Sequence, residues 1–569
     1  MRLMKPGILM LTIVTLGMIP GTSAQTKVGH TSYGQAKKIG TAVLGAGPHT
    51  DFISQLQLRT DQGTDLVAAR RNAAARKAPS SAPLSVPSPR LNAIKPPKNV
   101  FGFPGLTTVD TANTNGFVLS PPDQGLCVGN GFVLETINLV TTVYSNTGTE
   151  LTAPEALNAF FGADPTITQL SDPRCYFDKE TQRWFMSITN VINFDTVRSN
   201  LYLAVSQTSD PRGAFTIYSI DTTDDGLDGT PSNAACPCFG DQPTLGADVF
   251  GIYLTTNEFP LFSAGFNGAQ IYALSKWQLV AGDPTTLVHI GGLPLAEGTA
   301  YSVQPASSPD LRDETWPGVE YFLSSLDFQG TLDNRIAVWA LSNTSSLLSK
   351  TPDVWLTNDV ITSEVYGQPP LATQKAGPYP LGQSLGDPEE MINTDDDRMQ
   401  QVTYASGHLW GALSTVVWDG TQVNAGIAYF DVKPRISRGQ VSGKVQGESY
   451  VAVKNASVFY PAVGVTEDGT AAAAFTLSGA AYYPSAAYAH LTPAHAVNVE
   501  IVAAGQAPAD DFSGYTQFGG SGAARWGDYS WAVAQGDALW LATEYIPGNI
   551  NSVDYFTNFG TFIYKVDLH

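Results

Sequence analysis

Asp172-Pro173-Arg174-Cys175-Tyr176-Phe177-Asp178, followed after a polar turn by Arg183-Trp184-Phe185-Met186-Ser187-Ile188, is the stretch that decides the fold. A turn cluster opens it, a strand-like run follows, and a second, aromatic strand comes after the polar turn. The same order begins earlier at Pro122-Asp123-Gln124-Gly125 and later at Gly240-Asp241-Gln242-Pro243. It recurs around Gln304-Pro305, at Gly386-Asp387-Pro388, at Tyr460-Pro461-Ala462-Val463, and finally at Trp526-Gly527-Asp528-Tyr529-Ser530. Successive starts lie 49 to 83 residues apart. A period that long denotes one supersecondary unit per repeat.

The segments between these clusters have strand composition. Phe132 to Tyr144 reads FVLETINLVTTVY, and Trp184–Ile188, Leu201–Val205, Gly251–Thr256 and Leu539–Thr543 are equally rich in Val, Ile, Thr and aromatics. Helical periodicity is scarce, with Pro154 to Phe161 the best short candidate. The body is therefore expected to be all-β. Seven units of four short strands predict a seven-bladed β-propeller, whose radial closure leaves only protected edges. A pair of β-sandwiches is the alternative, and it leaves seven recurring turn clusters unexplained. The last unit is short, so residues 101–119 are expected to supply the strand that closes the ring.

Charge divides the 569-residue chain. Its net charge of −20 is an average of unlike parts. Residues 1–24 read as a secretory signal peptide, with Arg2 and Lys5 before an apolar stretch from Ile8 to Ile19 and small residues Thr22-Ser23-Ala24 before Gln25. The apolar run is too short to span a bilayer, so no membrane insertion is expected once the signal is removed. Residues 25–100 form a leader with 11 basic and 3 acidic residues. Leu58 to Ala78 suits a basic, Ala-rich helix, and Pro79 to Lys98 an extended Pro-rich linker. Residues 101–569, the expected propeller, hold 18 basic and 48 acidic residues. That balance excludes nucleic acid, which needs clustered Lys and Arg. It favours cations or neutral glycans on the body and leaves polyanion contact to the leader. A secreted protein, extracellular or periplasmic, is the expectation.

Several stretches resemble large secreted bacterial proteins with sialidase-like, or BNR-like, propellers. They are Asp172-Pro173-Arg174 with Asp178 and Arg183-Trp184-Phe185, Ser206 to Phe215 (SQTSDPRGAF), and Phe239 to Asp248 leading to Tyr253-Leu254-Thr255-Thr256-Asn257-Glu258-Phe259. Tyr483-Pro484-Ser485-Ala486 and Arg525-Trp526-Gly527-Asp528-Tyr529-Ser530 complete the set, and the likeness spans about Pro121 to Asp567. SQTSDPRGAF looks like a degenerate Asp-box, with Phe215 where the usual Trp stands. The resemblance implies that this turn lies between outer strands, away from any chemistry. It also implies a sialidase-type site with a Tyr-Glu nucleophile and an arginine cluster, and no aligned arginine triad is present.

In a propeller, loops leading into the innermost strands converge on the central channel. Asp123, Asp172, Arg174, Asp387, Arg525, Trp526 and Tyr529 are therefore the ligand-binding candidates, with Glu389 and Glu390 beside them. An Asp next to Pro or Gly also commonly caps its own turn. Glycoside hydrolysis needs two carboxyls across the scissile bond. Asp241, Glu258, Asp528 and Glu544, with Tyr545, are the candidates for that role. Two acidic stretches, Asp221 to Asp228 and Asn393 to Asp397, could hold calcium, with Asp224, Asp225 and Asp228 as ligands, or simply be solvated loops. Cys127, Cys175, Cys236 and Cys238 are disulfide candidates in an exported chain, and four cysteines allow three pairings. Cys236-Pro237-Cys238 looks too tight for an easy mutual bond. The functional expectation is extracellular recognition in the channel, of a neutral glycan or another cell-surface component. The alternatives are a sialidase-like glycoside hydrolase or polysaccharide lyase, and a cell-surface scaffold that binds protein.

Overall fold

The computed structural model describes residues 27–45, 57–60, 84–194, 196–296, 298–309, 318–326, 330–387 and 391–568. The signal peptide, residues 61–78 of the expected basic helix, Glu389 and Glu390 lie outside them.

The described residues form an all-β propeller. Its innermost strands are Gly125–Gly129, Thr168–Asp178, Cys238–Ala247, Gln304–Ser307, Val402–Ala405, Ser457–Val465 and Trp531–Gln535. Each opens an antiparallel meander, here numbered blades 1 to 7 in chain order. Each innermost strand packs on the next, and Trp531–Gln535 packs on Gly125–Gly129, so the seven strands close a ring around one axis. Backbones run close there: a Cβ on Gly246 would come within 2.5 Å of the Ala306 carbonyl oxygen.

The period-2 alternation of a strand explains the packing. In blade 2, Tyr202 and Ala204 face a hydrophobic cluster shared with blade 1, whereas Leu201, Leu203 and Val205 face one shared with blade 3. Every neighbouring pair of blades shares such a cluster, including blades 7 and 1 through Val128, Val133, Trp540 and Ile563. Burial on both faces is why these strands read as apolar runs.

A second repeat sits where the chain enters the innermost strands. Asp172, Gln242 and Tyr460 have φ of 58°, 50° and 52°, each at a break in register with the neighbouring strand. Asp123, Ser302 and Asp395 take positive φ just before the innermost strands of blades 1, 4 and 5. Positive φ costs a non-glycine residue about 1 kcal/mol or more, and a bulge re-aims the strand that carries it. Pro173, Pro243 and Pro461 follow three of these residues. This strained bend is what the recurring turn clusters encode.

Blade 5 corrects the sequence reading. Its innermost strand begins at Val402, and Gly386-Asp387 instead follows a short helix, Pro380–Leu385, with Pro388 outside the described residues. The equivalent bend is at Asp395, inside the run Asn393 to Asp397 that had read as a solvated or calcium-binding loop. Asp396, Asp397 and Arg398 are buried, and Arg398 lies 2.9 Å from Asp395 and 2.7 Å from Asp396.

The leader is woven into the sheets. Strand β1 (His30–Val43) pairs antiparallel with blade 3 through His30–Ala36 and with blade 2 through Lys37–Val43. Strand β2 (Gln57–Thr60), where the helix had been expected to begin at Leu58, pairs with Phe117–Ser120. Strand β3 (Ile94–Lys95) adds a fifth strand to blade 6, and β4 (Val100–Thr107) is the outermost strand of blade 7. Most of β1 is exposed, with Ala36 its one buried residue besides partly covered neighbours. Backbone hydrogen bonds rather than apolar burial hold it, so its polar composition resembled a linker.

The disulfides are Cys127–Cys175, joining the innermost strands of blades 1 and 2, and Cys236–Cys238. The second overturns the expectation that these two cysteines lie too close to pair. Their Cα atoms are 4.4 Å apart, at the short limit of the range a disulfide spans. Among the described residues no helix is long and apolar enough to cross a membrane.

Candidate functional site: the two halves of the central channel

At the end where the chain enters the innermost strands, polar side chains from several blades close on one another. The Asp123 carboxylate accepts from the Asp528 backbone N–H at 2.7 Å and from Asn138 Nδ2 at 2.6 Å. Asn138 Oδ1 accepts in turn from the Asp172 N–H at 2.9 Å. The Tyr529 hydroxyl donates to Asp172 at 2.9 Å. Gly527 N–H donates to Glu544 at 2.7 Å, and burial holds the Glu544 carboxyl well above the usual carboxylate range. Arg525 lies 3.9 Å from Asp528. Gln242, Asn257 and Ser302 form a neighbouring triangle of bonds at 2.8 to 2.9 Å. Asp241 is buried opposite Asn257.

Arg174 forms the floor of this layer. It is fully buried and donates through Nε and Nη1 to the Pro243 and Pro173 carbonyls, both at 2.8 Å. Its guanidinium lies 3.2 Å from the centre of the Tyr529 ring and 5.7 Å from that of Trp531. Nη2 makes no hydrogen bond, with Asp172 at 4.0 Å its nearest carboxylate.

Below Arg174 the channel opens into a cavity. It is lined from all seven innermost strands, among them Arg174, Gln304, Gln400, Thr403, Tyr529 and Trp531. About 70 Å³ of it is open to the centres of water-sized atoms. Among the described lining residues none is acidic, and two, Arg174 and Lys179, are cationic. At the mouth, Lys179 of blade 2 reaches the Pro309 carbonyl of blade 4 at 2.8 Å and Glu467 of blade 6 at 3.1 Å.

The sequence candidates thus separate. Asp123, Asp172, Arg174, Arg525, Asp528, Tyr529 and Glu544 come together around the axis. Asp387 does not; it is partly exposed after its helix and accepts from Thr516 Oγ1 at 2.7 Å. Trp526 is buried between blades, edge-on to Phe459 with Nε1 donating to Thr476 at 3.0 Å, so its ring offers no face to a ligand. Tyr545 packs edge-on against Phe562. Glu258 lies in blade 3 between Asn233 and Asn267. Asp225 and Asp228 are paired with Arg198 at 2.6 and 3.6 Å, which supplies their positive charge. Asp224 is fully buried, and burial together with neighbouring Glu258 pushes its carboxyl up to about 10. Cys236, Cys238 and Glu258 are close enough to share a metal, but the two sulfurs are tied to each other. Sequence reasoning missed Asn138, Gln242, Ser302 and Arg398, which bridge between turns; Gln242 and Arg398 each follow an Asp, whereas Asn138, between Ile137 and Leu139, and Ser302, between Tyr301 and Val303, carried no such signal.

No family model and no curated protein matches the chain. Among solved structures, the Hadza microbial sialidase Hz136 aligns over 77% of this chain and 73% of its own, at 8% identity and a TM-score of 0.32. A Trypanosoma rangeli sialidase mutant with trans-sialidase activity aligns over 78% and 59%, at 10% identity and 0.33. Drosophila Semaphorin 1b, extracellular domains 1–2, aligns over 85% and 88%, at 11% and 0.32. These are distant likenesses, and the site stands on the chain's own geometry.

Proposed function

We propose that the protein is a secreted recognition propeller that binds a terminal sugar residue in the channel cavity. The lining carries the reading: the ring of Trp531, the amides of Gln304 and Gln400 and the Thr403 hydroxyl, with no carboxylate among the described lining residues. Sugars are held by ring stacking together with a few placed hydrogen bonds, and that is this inventory. The narrow bore suits one chain end rather than a polymer. Glycoside hydrolysis or lyase chemistry would instead need carboxyls that meet the ligand, and Asp123 and Glu544 are engaged by backbone N–H groups while Asp528 stands 3.9 Å from Arg525. Asp241, Glu258, Asp528, Glu544 and Tyr545 remain the catalytic alternative, and a protein-binding face the third reading.

A glycan array and a polysaccharide-hydrolysis screen on the purified protein, each with and without EDTA, test this. Binding without turnover is expected, unchanged by EDTA. Trp531→Phe is expected to weaken it about tenfold through the loss of stacking area. Turnover would replace recognition by the enzyme reading, and silence on every glycan would remove both.

A further inference from the structure

The two disulfides occupy opposite environments. Cys127–Cys175 spans a sequence separation of 48 and lies wholly inside the cluster between blades 1 and 2. Cys236–Cys238 has a separation of 2. Cross-linking residues that close removes very little freedom from an unfolded chain, so stability is a poor reason for the second bond. It sits in the connection from blade 2 to blade 3, with Cys238 fully buried and Cys236 partly exposed beside exposed Ala234 and Ala235.

Its surroundings suit a thiol better than a disulfide. Glu258 Oε1 lies 3.7 Å from Cys236 Sγ, where an oxidised sulfur has no proton to give it. Asn267 Nδ2 donates to Glu258 at 2.6 Å and to the Ala234 carbonyl at 2.9 Å, and lies 3.7 Å from Cys236 Sγ and 3.5 Å from Cys238 Sγ. Asn233 Nδ2 fixes the other side of the same carboxylate at 3.0 and 3.1 Å. Asp224, whose carboxyl burial and Glu258 push well up, stands next to Glu258, and His289 Nε2 lies 3.7 Å from Asp224. A carboxylate against the accessible sulfur can carry the proton that thiol–disulfide exchange moves, and the amide nitrogen beside both sulfurs is a polar neighbour for the leaving one.

We propose that Cys236–Cys238 is a redox-active disulfide that exchanges with an external thiol–disulfide couple, Cys236 being the attacked sulfur and Glu258 the proton carrier. The thiolate of an incoming thiol attacks Cys236 Sγ. The Cys236–Cys238 bond breaks, its electron pair leaves on Cys238 Sγ, and that sulfur takes up the proton the incoming thiol released. A second external thiol then attacks the sulfur of the first, forming the external disulfide. Cys236 departs with the electron pair and takes its proton by way of Glu258. Two electrons and two protons have moved from two thiols to the protein, and a low-molecular-weight disulfide reverses every step. This site is separate from the channel cavity and independent of the glycan reading.

Glutathione is the probe. The folded protein is equilibrated in buffers of graded reduced-to-oxidised ratio, alkylated, and mapped by mass spectrometry. Cys236 and Cys238 are expected to open while Cys127 and Cys175 stay joined. Cys238→Ser should trap one glutathione on Cys236, and Glu258→Gln should slow opening at least about tenfold. The melting temperature of each variant separates slow exchange from lost folding; if Glu258→Gln is destabilised, the Cys238→Ser trap decides alone. Alkylation of Cys236 only after denaturation, or no glutathione trapped by folded Cys238→Ser, would overturn the proposal.

Discussion

The two halves of the central channel are built from the same seven strands and could hardly differ more. At the turn end, Asp123, Asp172, Asp528 and Glu544 converge, and backbone N–H groups, Asn138, Tyr529 and two arginines hold them together. A few residues further along the strands the described lining residues include no acidic group, and an Arg174 nitrogen makes no hydrogen bond. Carboxylates gathered around one axis repel unless each is neutralised or hydrogen-bonded. Here they tie the bends together. The lesson is that a ring of acidic side chains at a propeller axis is a fastening first, and a site only where a polar group is left over.

Breaking the fastening should have the largest effect. Asp123→Ala strips partners from the buried Asp528 N–H and Asn138 amide, and a loss of about 3 to 5 kcal/mol in urea unfolding is expected. A loss below about 1 kcal/mol would mean that the turn end contributes nothing to closure.

Acidity comes next. Glu135, buried beside the turn end, accepts from Leu106 N–H and Gln124 Nε2 at 2.9 Å and is pushed up to about 7 by burial. The native state thus keeps a proton that the unfolded chain releases near 4.5. Stability from this group is full below pH 4.5 and declines as pH rises through 7, by about 3 kcal/mol in total. Glu135→Gln should flatten that part of the pH profile, measured by urea unfolding at pH 5 and pH 8. An unchanged slope would assign the pH dependence to other carboxyls.

The mouth should respond least. Lys179→Ala removes a half-exposed ion pair with Glu467, whose side chains are 31% and 40% exposed, so stability should change by less than about 1 kcal/mol. Its effect belongs to kinetics: ligand association should quicken a few-fold as the bolt across blades 2, 4 and 6 is withdrawn. A stopped-flow association rate equal to that of the parent would show that this contact does not gate the cavity.

Much of this was legible beforehand, and the failures have physical causes. The bends at Asp172, Gln242 and Tyr460 could be read because a positive φ before Pro restricts residue choice strongly. The bend of blade 5 was masked by the turn after a short helix, since Gly386 there caps the helix end with φ of 72° and imitates the repeat. Strand β1 was invisible because its pairing is made by backbone groups, which leave no mark on side-chain pattern. Trp526 was misjudged for a related reason. Sequence places a ring near the axis, but only the packing against Phe459 says which way it turns.

The leader strands carry one more consequence, in the order of events. Strand β1 meets its partners at Ala214–Asp221 and Thr285–Gly291, β3 at Ala496–Ala503, and β4 at Gly560–Asp567. The first strands to be made wait for partners that are made later, in one case last of all. Such long sequence separations delay the closing contacts. A growing chain therefore keeps its ring open until blade 7 emerges and Gly560–Asp567 can pair with β4.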